Sequence, residues 1–244
     1  MQKTVVVCLL LIAIGAFIVG GTLVANSTSS YPIISYSLEY QIASTVLIEI
    51  DGRHTGSGFI VAPDLIITAR HVVDRRGDYA ILFADGTRRN VQAIRISEVS
   101  DCAVLQVRKA GLRPLTLTTK IRVGQPITVI GSPLDPAYFN YVTRGIVSKL
   151  DVQEDWLSDN PVIMIDAAVN GGNSGGPVFD MKGRVIGIAI AGYTHNCGMN
   201  FITPAADIIA LLSGWKDEGE NYGGRYEETE EARENEYDGA AGDC

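Results

Sequence analysis

Ser174 lies in the run Asn170-Gly-Gly-Asn-Ser-Gly-Gly-Pro177, with glycines on both sides. A serine hydroxyl is a poor nucleophile at neutral pH. It needs a base to take its proton and donors to hold the oxyanion that forms on an attacked carbonyl. The glycines permit a tight turn and a close approach by that carbonyl, so the backbone N–H groups of Gly172 and Ser174 can converge on the developing charge. The candidate base is His71, one of three histidines, at the end of GSGFIVAPDLIITARHVV. A strand end gives an imidazole the rigid platform that proton transfer needs. Asp101 opens the run Asp101-Cys102-Ala-Val-Leu, where a carboxylate can accept from one ring nitrogen and leave the other to face Ser174. Taken singly, each has a plainer reading: a Gly-rich hairpin, a core histidine, a turn or cap aspartate. It is their combination that points to acyl transfer.

These side chains must be positioned by what surrounds them. From about Ser44 to Thr203 the chain alternates short β-rich runs with turn residues: STVLIEI, SGFIVA, LIITA, YAILF, VQAIRI and CAVLQV, then PITVIG, YVTRGIVSKL, VIMIDAA, GPVFD, RVIGIAIAG and MNFIT. Asp51-Gly52, Asp85-Gly86 and Lys182-Gly183 supply turns. About a dozen strands at this spacing predict an all-β protein built as a barrel or sandwich. A break near Thr116 to Gly124 divides them into two sets of about six. PAADIIALLSGW (204–215) reads as one amphipathic helix, with Pro204 in its first turn.

Both ends differ in composition from this middle. Thr4 to Ala25 is an uncharged apolar stretch of 22 residues, and a helix of that length reaches about 33 Å, the thickness of a bilayer core. With Lys3 before it, the reading is a signal-anchor over 1–25 whose N-terminus is cytoplasmic and whose remainder is extracytoplasmic. If the segment is cleaved, the protein is secreted. Residues 26–43 read as a linker and 44–215 as the folded domain, with one barrel over about 44–115 and another over about 124–204. Residues 216–244 read as an acidic disordered tail. The net charge of −8 resides there, eleven acidic residues against three basic, which leaves the rest balanced. A balanced domain has no field to recruit nucleic acid. No cofactor is expected, and no grouping of His, Cys and Asp suggests a metal. Cys102 reads as a small buried apolar residue, more often independent of Cys197 than paired with it. His54 and His195 read as turn and loop residues.

Chain order discriminates among folds. His71, Asp101, Ser174 is the order of the chymotrypsin-type barrel, whereas subtilisin-like proteins and α/β-hydrolases run otherwise. The segments GSGFIVAPDLIITARHVV, SDCAVLQV and DAAVNGGNSGGPVFDMKGRVIGI resemble the three sequence blocks of trypsin-like serine proteases, nearest to the HtrA/Deg branch. The resemblance covers roughly residues 44–212. It implies two six-stranded antiparallel β-barrels, chymotrypsin-like, followed by the short C-terminal helix. It also implies a serine endopeptidase with His71 as base and acid, Asp101 orienting it, Ser174 as nucleophile, and Gly172 with Ser174 as oxyanion hole. HtrA/Deg proteins usually carry C-terminal PDZ domains, where this sequence has an acidic tail after Trp215.

In trypsin-like enzymes the residue six before the nucleophile lies at the base of the primary pocket; here that is Ala168. Val169, Ala189, Ile190 and Ala191 are then the expected walls. An apolar pocket disfavours Lys or Arg, whose desolvated charge would lack a partner, so cleavage after small or medium aliphatic residues of a polypeptide is expected. Asp166 is expected to be structural. Extracytoplasmic protein quality control is the role implied by the branch. The alternative is a dormant protease-fold binding or chaperone-like module.

Overall fold

The computed structural model describes residues 37–108, 114–132, 139–192, 198–214 and 226–227. All twelve expected β runs form strands. The first six are β1 (Thr45–Ile50), β2 (Arg53–Ala62), β3 (Leu65–Thr68), β4 (Tyr79–Leu82), β5 (Arg88–Ile96) and β6 (Ala103–Val107), and they close into a barrel in the order β1-β2-β3-β6-β5-β4. The β1–β2 connection is the Asp51-Gly52 turn, with φ of 50° and 73°. Both values are left-handed, as a two-residue hairpin turn requires. His54 falls inside β2 opposite Glu49, beyond the turn that the sequence suggested for it.

A second barrel closes through β8 (Pro126–Gly131), β9 (Tyr141–Val152), β10 (Val162–Ile165), β13 (Asn200–Pro204), β12 (Val185–Gly192) and β11 (Pro177–Phe179). Two strands depart from the expected set. The two-residue β7 (Leu117–Thr118) lies within the expected break and pairs in parallel with β12 at Val185. Within 216–244, whose other residues lie outside the described ones, the two-residue β14 (Tyr226–Glu227) pairs in parallel with β7. Its backbone finds unpaired groups at the open edge of β7, and edge pairing depends little on side-chain hydrophobicity. The expected linker also ends in a helix, α1 (Leu38–Ala43), capped by Ser37, whose side chain accepts from the N–H of Tyr40. Among the described residues no helix is long and apolar enough to cross a membrane, and the 4–25 stretch lies outside them.

The main core runs through both barrels. Phe59, Ile66 and Leu105 of the first share it with Phe179, Ile188 and Phe201 of the second. Helix α2 (Ala205–Ser213) starts after Pro204, which is its N-cap rather than a first-turn residue, and buries Ala205, Ile208, Leu211 and Leu212 in the same core. A smaller cluster, including Ile127, Val147, Ile165 and Ala189, fills the interior of the second barrel. Cys102 is a fully buried free thiol near Ser100 Oγ (3.3 Å). Burial pushes that thiol up to about 11, so the expectation of a small apolar residue holds.

Apolar packing is not all that joins the barrels; Ser57 carries three hydrogen bonds across the junction. Its N–H donates to Ser174 O at 2.8 Å, and its hydroxyl donates to Gly172 O at 2.7 Å. That hydroxyl accepts from Ser132 N–H (2.8 Å), while Ser57 O accepts from Thr68 Oγ1 (2.7 Å). The residue is fully buried. A β-carbon at Gly175 would lie 2.2 Å from both Ser57 O and Thr68 Oγ1, and one at Gly176 would lie 2.3 Å from Ile130 O. Backbone meets backbone here with no space between.

Replacing Ser57 by Ala strands Ser132 N–H and Gly172 O in a dry interface. Ser57→Ala is therefore expected to lower unfolding free energy by about 1–3 kcal/mol, read as a lower urea midpoint at unchanged slope. An unaltered midpoint would show that the hydroxyl is dispensable. Asp207, in the first turn of α2, has a buried Oδ2 without a hydrogen-bond partner. Desolvation raises its pKa above the ordinary carboxylate value, with Asn160 and Ser100 working weakly the other way. The stability tied to its neutral form is complete below the unfolded-state value and lost as pH rises through the folded-state value. Asp207→Asn should thus raise the melting temperature at pH 7 and leave it nearly unchanged at pH 3. A gain at pH 3 equal to that at pH 7 would contradict this.

Candidate active site

His71 sits in a single 3₁₀ turn, Arg70–Val72, entered from β3 through the extended residue Ala69. Asp101 ends a tight loop before β6, in which Ser97 Oγ accepts from the N–H groups of Val99 and Ser100. Arg70 clamps that loop by donating to Ser97 O (3.1 Å) and Glu98 O (3.3 Å). From the other barrel, Thr203 Oγ1 donates to Asp101 O at 3.3 Å. The backbones of His71 and Asp101 are thereby held relative to each other before their side chains are considered.

Both Asp101 oxygens are engaged by His71. Oδ1 accepts from the His71 backbone N–H at 3.0 Å, and Oδ2 lies 2.6 Å from Nδ1. An ionised carboxylate can only accept, so Nδ1 is the protonated nitrogen of this contact and Nε2 is the one turned away from Asp101. Asp101 is 5% exposed whereas the His71 side chain is 44% exposed. One end of the pair is therefore fixed in the interior, and the other faces solvent where a substrate would arrive.

Ser174 is presented by two successive glycine turns. Asn173 N–H donates to Asn170 O (2.9 Å) with Gly172 at φ 94°, and Gly176 N–H donates to Asn173 O (2.9 Å) with Gly175 at φ 85°. Each glycine occupies the third position of its turn, where positive φ excludes most side chains. Gly175 N–H bonds Ala189 O at 2.7 Å and fastens the segment to β12. Among the described residues neither Gly172 N–H nor Ser174 N–H has a protein acceptor. Ser174 Oγ donates to Ile190 O at 3.2 Å, and no hydrogen bond joins it to His71. Its hydroxyl rests on a carbonyl of β12 and must rotate away to reach an imidazole.

The expected pocket residues fall on two adjoining segments. Ala168 is exposed and Val169 half-buried on the loop after β10, which is pinned where Asn200 Nδ2 donates to Ala167 O (2.8 Å) and Thr143 Oγ1 to Ala168 O (2.9 Å). Ala189 and Ile190 are buried on β12, in the second-barrel interior and the shared core respectively, as alternating strand side chains must be. Ile190 thus presents its carbonyl towards Ser174, with its side chain in the core. Ala191 lies on β12. Asp166 accepts Ile146 N–H at 2.6 Å and closes over Gly145, a framework role. His195 and Cys197 lie outside the described residues. Sequence reading passed over Ser57, Thr68, Arg70 and Thr203. The Gly-Ser-Gly spacing at 56–58 was the one available signal, since a β-carbon at Gly56 would crowd Val72 and Ser174 O.

Comparison with known proteins places this geometry in a family. Residues 56–188 match the family model described as a trypsin-like peptidase domain. A probable periplasmic serine endoprotease DegP-like of Bartonella henselae is 39% identical over 160 residues, 62% of this chain and 31% of that protein. Serine protease HTRA1 of Xenopus tropicalis is 36% identical over 167 residues, 65% of this chain and 35% of that protein. The chain thus spans about a third of the length of these curated relatives. Among solved structures, the HtrA-type protease AlgW with tripeptide superimposes with a TM-score of 0.66 at 25% identity, covering 73% of this chain and 63% of that one. The serine endoprotease from Yersinia pestis gives 0.63 at 21% identity, covering 73% and 66%, a likeness of fold. With its two closed barrels and these relatives, the chain belongs to the trypsin-like peptidase family, on the HtrA branch of the chymotrypsin fold.

Proposed function

We propose that this protein is a serine endopeptidase acting through His71, Asp101 and Ser174. The observation that carries the reading is the double engagement of Asp101 by His71, through backbone N–H and Nδ1, with Ser174 raised on its glycine turns in the same fold. Asp101 holds the imidazole in the tautomer whose Nε2 can accept a proton. On substrate binding the Ser174 hydroxyl leaves Ile190 O, gives its proton to Nε2, and its oxygen bonds the scissile carbonyl carbon. Negative charge then grows on the carbonyl oxygen, where the N–H groups of Gly172 and Ser174 stabilise it. Collapse breaks the C–N bond, and the departing amine takes the proton from His71. Water, deprotonated by the same nitrogen, attacks the acyl-enzyme and releases the acid.

Ala168 and Val169 border the primary pocket in this reading, backed by the β12 stretch Ala189 to Ala191, from which Ile190 contributes its carbonyl and not its side chain. They offer no carboxylate, so the favoured substrates are polypeptides with a small or medium aliphatic residue before the cut. The names of the DegP-like relatives, which are periplasmic, support an extracytoplasmic setting, with residues 1–25 as a membrane anchor, 44–215 as the peptidase domain and 216–244 as an appended acidic segment. Quality control of extracytoplasmic proteins fits that setting.

Hydrolysis of an unfolded polypeptide tests the mechanism. Ser174→Ala should abolish turnover, and Asp101→Asn should reduce it by a factor on the order of 10⁴ with the fold intact, because it offers the wrong partner to Nδ1. Turnover retained in Ser174→Ala would refute the assignment. For the pocket, a peptide-library digest should be dominated by cuts after Val, Ala or Leu, and Ala168→Asp should add cuts after Lys and Arg. Dominant cleavage after basic residues by the unaltered protein would overturn the pocket reading and leave the triad standing.

A further inference from the structure

Between the 3₁₀ turn of His71 and β4 runs a short loop, Asp74-Arg-Arg-Gly-Asp78. It is fastened to the β1–β2 hairpin: Asp51 N–H donates to Asp78 O (3.0 Å), and Asp78 N–H to Asp51 Oδ1 (2.9 Å). A β-carbon at Gly77 would lie 2.6 Å from Ile50 Cγ1 and 2.8 Å from Asp51 Oδ2, so the loop is pressed onto the hairpin. Arg75 is held at both ends. Its carbonyl accepts from Tyr79 OH at 2.7 Å, and its Nη2 donates to Thr55 Oγ1 at 3.1 Å. Thr55 Oγ1 also lies 3.4 Å from the carbonyl of Val72, the residue after His71. Arg75 is exposed, and among the described residues no carboxylate pairs with it. A guanidinium fixed in this way keeps further N–H groups for a carboxylate.

Thr55 borders the nucleophile loop. A β-carbon on the next residue, Gly56, would lie 2.6 Å from Val72 Cγ2 and 3.0 Å from Ser174 O, and Ser57 N–H reaches that same oxygen. Ala168 and β12, on the acyl side, belong to the second barrel. Thr55, His71, Val72 and Arg75 belong to the first. In the proposed reaction the departing amine takes its proton from His71, so that half of the substrate lies over the first barrel. From Ser57 to Thr55 is two strand residues, about 7 Å. In an extended peptide the same distance separates the scissile carbonyl from the second residue beyond it.

We propose that Arg75 is a specificity-determining residue that favours an acidic side chain at the second position after the cut. This role rests on the peptidase reading of the same site and adds the chemistry of the leaving half of the substrate, which the apolar pocket does not govern.

Two peptides test it, identical except for Asp or Lys at the second position after a single Val-Ser bond. The full chain cleaves them in competition, and the full chain with Ser174→Ala binds them uncut, read by fluorescence anisotropy. At ~0.05 M salt the Asp peptide should exceed the Lys peptide about fivefold in both kcat/KM and affinity. At ~1 M salt, where screening shortens the range of charge interactions to about 3 Å, the two should become nearly equal. Arg75→Glu should reverse the order, and Arg75→Lys should keep it. Should Arg75→Glu fail to fold, the salt series on the unaltered chain decides. Equal handling of the two peptides at low salt, or an Asp preference that survives in Arg75→Glu, overturns the proposal. Peptides cut without preference leave the peptidase reading standing and remove Arg75 from it. Peptides bound in the expected order but never cut would sink the peptidase reading and keep the carboxylate preference of Arg75.

Discussion

Four hydrogen bonds converge on Ser57, and through three of them, to Ser174, Gly172 and Ser132, one barrel sets the position of the other's glycine-rich loop. Ser57 belongs to β2, whereas Gly172 and Ser174 belong to the segment before β11. The Gly172 carbonyl is the acceptor that Ser57 Oγ holds, and the N–H of the same peptide group, that of Asn173, donates to Asn170 O, so this peptide is fixed at both ends. Had the barrels met through apolar packing alone, they could slide by the fraction of an ångström that side-chain repacking tolerates. Hydrogen bonds to main chain, in an interface without room for a β-carbon at Gly175 or Gly176, remove that freedom.

The same economy applies to His71 and Asp101. Asp101 is buried, which for an unpaired carboxylate would be costly. His71 meets that cost twice, with its peptide N–H and its ring. The backbone contact uses Oδ1 and the ring contact Oδ2, so the two carboxylate oxygens are held separately. Thr203 and Arg70 then brace the Asp101 loop, with one hydrogen bond from the second barrel and two from the first. A histidine whose partner is set in the interior and whose other face is open has the asymmetry that proton transfer to and from a substrate demands. Ser174 lies in the same fold with its hydroxyl donating to Ile190 O.

Much of this was legible in the residues because period-2 hydrophobicity and turn chemistry are local. LIIT (65–68) and AVLQV (103–107) announce buried strands, and Asp51-Gly52 announces its hairpin. Glycines around Ser174 announce a strained turn because positive φ is a property of one residue at a time. What escaped was non-local. Two-residue strands such as β7 and β14 carry no periodicity; they exist because an edge is available. Ser57 looks like any serine in a strand until the fold brings Gly172 and Ser132 to it, 115 and 75 residues away in sequence. Helix α1 has a capping serine at Ser37 but too few residues to register as an amphipathic repeat. Ile190 was chosen as a pocket wall by its place on the strand, yet alternation turns its side chain to the shared core and leaves its carbonyl at the site. Spacing identifies a strand; which face each residue takes depends on what the strand packs against.

The claim on which the account rests is that Ser174 is an activated nucleophile. Labelling of the folded full chain with a fluorophosphonate probe, read by intact mass and peptide mapping, measures that property without knowledge of any substrate. The account predicts one adduct, on Ser174, that is absent when His71 is replaced by alanine. A folded chain that takes no adduct, or takes it on another residue, would contradict it.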